Sequence, residues 1–137
     1  MPCNTIFGRL DRGMTRIIIE AIPPKQMRLE AYRDEGCGDW FVDHTTGDIH
    51  IQVASTRDVV DCDDDFLLAL HEMIEFKLCH KHGVVQGAVD AFDKAFAGDG
   101  EPGDCIEAPY RKEHRGAMLI EHQMALLLGK WDHGSME

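Results

Sequence analysis

The chain has 137 residues, 44% of them hydrophobic, which suffices for one domain with a modest core and no covalent staples. Its 25 acidic residues against 14 basic ones give a formal charge of -11, which repels nucleic-acid phosphates, so direct nucleic-acid binding is not expected. No apolar run approaches the roughly 20 residues of a membrane span, and the opening MPCNTIFGRLDRGMTR lacks the apolar stretch of a signal peptide, so a cytoplasmic location off the membrane is expected.

Thr15 to Ile22 is a β-branched run that predicts a strand whose partner the segment is too short to specify. Lys25 to Arg33 reads equally as a short helix or as extended chain. Trp40-Phe41-Val42, a turn containing Gly47, and Ile49 to Val53 predict a β-hairpin. In its second strand Ile49, Ile51 and Val53 alternate with His50 and Gln52, which puts one face on a core and His50 on the solvent side.

From Asp61 the period changes. The run Asp61-Cys62-Asp63-Asp64-Asp65 offers an N-cap and an acidic first turn, and Gly83 offers the stop, so a helix is predicted over 63–82, with capping as the whole role of the acidic triplet. A second helix is predicted from Val85 to Ala97, and a third from Pro109, suited to the first helical position, to Leu128. Together these give an α+β domain spanning 1–137: a small antiparallel sheet packed on a central helix with two further helices. Cys3, Cys37, Cys62, Cys79 and Cys105 are odd in number and scattered, with no C-x-x-C pair, so free thiols are expected. Trp40, Trp131, Met73, Met118 and Met124 are expected to be packing residues.

The helix over 63–82 carries the chemistry. Apolar residues cover most of its circumference, so it is expected to be nearly surrounded by protein. His71 and Glu75 lie one turn apart on one side and Glu72 about a quarter turn away, and a carboxylate buried there demands compensation. A divalent ion is one form of it: in H-E-x-x-H helices two side chains at i and i+4 reach one ion, while the intervening Glu handles the proton of the reacting water. Here the second His is Glu75. A carboxylate oxygen suits zinc, and also manganese or iron.

A zinc site with an open position needs a third protein ligand. His82 shares the angular position of His71 but lies about 16 Å along the axis, and His80 points away. On the third helix Ala117, Met118, Ile120, Met124, Ala125 and Leu128 form an apolar arc, with His114 and Glu121 within or beside it and His122 at its edge. His114 is the expected third ligand, and Glu121 an acceptor that orients a ligand or a ligand itself. Two metal-free or differently metallated readings stand beside this one. Glu72, Glu75, His71, His114, Arg111 and Arg115 could satisfy one another without an ion, or two helices each offering Glu and His could hold a dinuclear carboxylate centre. Asp90 and Asp93 are expected to be solvated or capping, with approach to the site from behind as the alternative; the turn Glu101 to Asp104 could cover it.

Residues 66 to 121 resemble a zincin-type metallopeptidase, in its gluzincin arrangement of a ligand helix followed about forty residues later by a ligand on another helix. The resemblance implies His71, Glu75 and His114 as zinc ligands, Glu72 as general base, a peptide or protein substrate, and a strand at 48–54 running antiparallel to that substrate. The stretches GDWFVD, GDIHIQV, LALHEMIEFKLC, VDAFD, EPGD and APYRKEH also resemble a family of small phage and prophage proteins, which would place the chain in the host cytoplasm. The expected function is a zinc-dependent metallohydrolase, a minimal metallopeptidase. The alternative is a non-enzymatic acidic phage accessory protein that binds a host protein, with a structural metal or a metal-free buried polar network.

Overall fold

The β-branched run becomes strand β1 (Ile17–Ile22), the hairpin supplies β2 (Gly38–Val42) and β3 (Ile49–Ala54), and the helices are α1 (Asp63–His82), α2 (Gln86–Ala95) and α3 (Arg111–Leu127). The computed structural model describes residues 15–130; Cys3, Trp131 and most of the opening segment lie outside them. The fold class is α+β as expected, but the sheet is mixed, not antiparallel. Its order is β1-β3-β2, with β2 antiparallel to β3 and β1 parallel to it, Ile17 opposite Ile49 and Ala21 opposite Val53. The parallel pairing follows from chain direction, because the hairpin reverses at the 43–48 turn and β3 thereby regains the heading of β1.

Ile49, Ile51 and Val53 point into the core, with Trp40 of β2 beside them, and α1 packs on this face. The opposite face carries His50, which stacks on Phe41 at a ring separation of 4.9 Å and stays away from the site, as expected. Segment 25–33 forms two single 3-10 turns, at Pro24–Gln26 and Glu30–Tyr32. The bounds of α1 match expectation, with Gly83 left-handed at its end. The N-cap, however, is Cys62 and makes no side-chain cap bond. Nor is α1 wrapped all round, since Phe66 is exposed. Helix α3 begins two residues after Pro109, and Ile120 and Leu128 of its expected apolar arc are exposed.

The acidic triplet does more than cap. Asp65 is fully buried and accepts hydrogen bonds from Ser55 Oγ at 2.6 Å and Arg57 Nη2 at 2.9 Å, which ties the start of α1 to the end of β3. A second tie joins the connecting segment to sheet and helix: Arg28 forms double hydrogen bonds with both Asp39 and Asp90. A third centres on Asp93 of α2, buried, which accepts the hydroxyl protons of Tyr32 and Tyr110. Asp90 and Asp93 are thus structural anchors rather than solvated groups. Asp65→Ala leaves the Ser55 hydroxyl and Arg57 without their acceptor, and we expect it to lower unfolding free energy by about 1–3 kcal/mol in denaturant titrations.

Candidate metal centre

Helix spacing sets the first pair. His71 and Glu75 are one turn apart on the buried side of α1, and His114 comes from the first turns of α3, which packs against α1. All three are buried. His71 Nε2 lies 3.3 Å from Glu75 Oε2 and 3.3 Å from His114 Nδ1, and His114 Nδ1 lies 3.0 Å from Glu75 Oε2. The two rings meet edge-on at 67°, so the nitrogens converge on one point instead of stacking. In a tetrahedron whose centre is about 2.0–2.1 Å from each vertex, as zinc prefers with nitrogen and oxygen, the vertices are about 3.3–3.4 Å apart. Two edges of the observed triangle have that length and the third, His114 to Glu75, is about 0.3 Å shorter, and the three atoms form a group able to hold an ion.

The remaining atoms of each side chain are held from behind. His71 Nδ1 is 2.8 Å from Glu121 Oε1; since an ionised carboxylate can only accept, Nδ1 carries a proton, and Nε2 is the nitrogen turned to the centre, where it would offer a lone pair once its own proton is given up. Glu75 Oε1 accepts the indole N–H of Trp40 at 3.0 Å, which leaves Oε2 to face the two imidazoles. His114 is pressed against the backbone of Gly103: a Cβ there would lie 2.5 Å from the ring. The turn at Pro102–Asp104 therefore does cover the site, on the His114 side.

Electrostatics follow from this crowding. Burial alone would pull the His71 pKa down, but hydrogen bonds to Glu121 and Glu75 and the charges of Glu72 and Glu75 overcome it and push it up to about 11. Burial would raise Glu75, yet hydrogen bonds from His114 and His71 hold it down at about 2. Glu72 is raised well above the usual carboxylate range, by burial first and the neighbouring Glu75 charge second. It packs against β2 so closely that a Cβ on Gly38 would lie 2.6 Å from its Cγ.

Glu72, His71, Glu75, His114, Glu121 and His122 all line one cavity of about 560 Å³, with Trp40, Asp93 and Met118 among its other walls. That is within the usual range for small-molecule and peptide sites. The arginines expected in a metal-free network are elsewhere. Arg111 Nε donates to the Asp104 carbonyl and Arg115 Nη1 to its carboxylate, both in exposed positions. His82 is engaged by the buried Glu113 at 2.6 Å, and His80 stacks on Phe76, so both stay clear of the site as expected. Strand β3 is paired on both edges, so the segment 48–54 cannot run beside a peptide as expected; the sheet edge next to the site is β2.

Trp40 and Gly103 were not singled out from sequence as site residues. For Trp40 a signal existed: an indole N–H on the core face of a strand needs an acceptor. For Gly103 none did, because its contact is made through space by a loop.

The raised His71 pKa stabilises the metal-free protein fully below about 6.5, and this contribution is lost as pH rises toward about 11; the depressed Glu75 contributes above about 4.5 and is lost as pH falls toward about 2. Without metal, unfolding free energy should therefore decline between pH 7 and 10. His71→Gln should flatten that decline in denaturant titrations at each pH.

No protein-family model matches the chain, and neither curated proteins nor solved structures match it.

Proposed function

We propose that the protein is a zinc-dependent metallohydrolase of zincin-like character, acting on a peptide or protein amide bond. The observation that carries this reading is the triangle of ligand atoms at 3.0–3.3 Å, His71 Nε2, Glu75 Oε2 and His114 Nδ1, all buried and close enough together for one ion to take the place of the protons they now share. The donor set, two imidazoles and a carboxylate, is one that zinc accepts with a position left open, and Mn2+ or Fe2+ fit it too.

An ion held there supplies a Lewis acid that polarises a carbonyl and makes water acidic near neutral pH. The chain's own residues do the rest. Glu72 lines the same cavity with a carboxyl pKa raised by burial and by Glu75, which suits it to take the proton of the attacking water and pass it to the departing amine. Glu121 holds His71 in the tautomer that presents Nε2. Trp40 fixes which oxygen Glu75 offers. Edge strand β2, whose Gly38, Asp39 and Trp40 line the cavity, is the element beside which an extended peptide can lie.

Protein purified without chelator and dialysed should retain about one zinc per chain by elemental analysis, a stoichiometry set by one three-ligand site. Less than about 0.2 per chain would favour the accessory-protein alternative with a metal-free polar network. Glu72→Gln should leave zinc content unchanged while lowering hydrolysis of a cleavable peptide, found by unbiased profiling, by at least about 100-fold. Trp40→Phe keeps the aromatic contact with Phe76 but removes the indole donor, and should weaken zinc affinity by about 10- to 100-fold in competition with a chelating dye.

A further inference from the structure

The His114 ring has two nitrogens, and only Nδ1 belongs to the centre described above. Nε2 is buried and has no hydrogen-bond partner. It points at a pair of carboxylates on the covering turn, Glu101 Oε1 at 3.3 Å and Asp104 Oδ1 at 3.6 Å. These three ligand atoms form a second group that could hold an ion, with the side chain of His114 only 5% exposed and those of Glu101 and Asp104 65% and 41% exposed. The turn is fixed over the ring by the close approach of Gly103. Its other polar contacts are Arg115 Nη1 to Asp104 Oδ1 at 3.4 Å and Arg111 Nε to the Asp104 carbonyl at 3.3 Å, both exposed contacts that an incoming ion can displace at little cost.

We propose that Glu101, Asp104 and His114 Nε2 form a second divalent-metal site, so that the His114 ring bridges two ions. The proposal rests on the zinc reading of the first centre, in which Nδ1 is already committed. A neutral imidazole has one lone pair, so the second ion takes the Nε2 lone pair by displacing the proton there, which leaves to solvent; the ring becomes an imidazolate between two cations. That chemistry selects the class of ion. Zinc and copper(II) drive such a deprotonation, whereas calcium and magnesium, which prefer oxygen and bind imidazole poorly, do not. The exposed carboxylates leave room for water to complete the second coordination shell. The second ion binds more weakly than the first, because two of its three protein ligands are exposed carboxylates that must give up water to hold it.

The full chain is titrated with Zn2+ and the bound ions are counted by native mass spectrometry and calorimetry at neutral pH. Two ions per chain are expected, one bound more tightly than the other. Glu101→Gln with Asp104→Asn, both exposed positions, should reduce the count from two to one while leaving the tighter ion's Kd within about threefold, as expected for groups outside its first shell. In the copper(II) form, two ions on one imidazolate couple magnetically, so the wild-type EPR intensity should fall below that of two isolated ions and recover toward one isolated ion in the double variant. One ion in the wild type, or two ions in both proteins, overturns the proposal; the second result puts the extra ion elsewhere. Glu75→Gln separates this from the first centre. Loss of only the tighter ion supports both sites. An unchanged count defeats the reading of the first centre, and the bridging claim with it.

Discussion

Two imidazoles and a carboxylate held within 3.0–3.3 Å of one another, out of water, need a positive charge among them. The cluster spans the contact between α1 and α3. A proton on His71 meets the need in the metal-free protein, and on the proposed reading a divalent ion would meet it in that proton's place. The surrounding residues serve the same end: Glu121 places the His71 proton on the outer nitrogen, Trp40 occupies the outer oxygen of Glu75, and Gly103 fills the space against His114.

The sheet contributes by position. Because β3 is central and β1 flanks it on the far side, β2 is left at the edge next to α1, and its core face delivers the Trp40 indole to Glu75. Three acidic anchors then hold the walls. Asp65 secures the start of α1 to the end of β3, Asp39 and Asp90 share Arg28, and Asp93 joins α2 to Tyr32 and Tyr110. Each buries a carboxylate, and each carboxylate has a named donor, which is the condition for such groups to stabilise rather than weaken a core. Glu72 stands apart from this pattern, walled by Gly38, with its charge disfavoured by burial.

What was legible beforehand was local. The change of period at Asp61, the stop at Gly83 and the i, i+4 placement of His71 and Glu75 each follow from a single helix, and α1 has the expected bounds. His114 and Glu121 could be placed because they lie on one face of another helix, and both do reach His71. The misses are pairings between distant segments. Nothing within residues 15–22 specifies that β1 joins β3 in parallel, and nothing within the acidic triplet distinguishes Asp65, which meets Ser55 and Arg57, from the exposed Asp63. Likewise Arg111 and Arg115 lie on the same helix as His114, yet they turn outward to the 102–104 turn.

On the proposed zinc reading, a proton and a metal would compete for the same lone pair on His71. The proton is held well above the usual imidazole range by the hydrogen bonds to Glu121 and Glu75 and by the charges of Glu72 and Glu75, so it opposes metal binding at neutral pH. That opposition would grow as pH falls, because metal binding releases the proton. The same acidic surroundings that hold the proton, Glu72, Glu75 and Glu121, also attract the ion, and a doubly charged ion gains more from them than a singly charged proton does. The excess of carboxylates that makes the metal-free ring so basic is thus the same feature that, on the proposed reading, would draw a divalent ion to it.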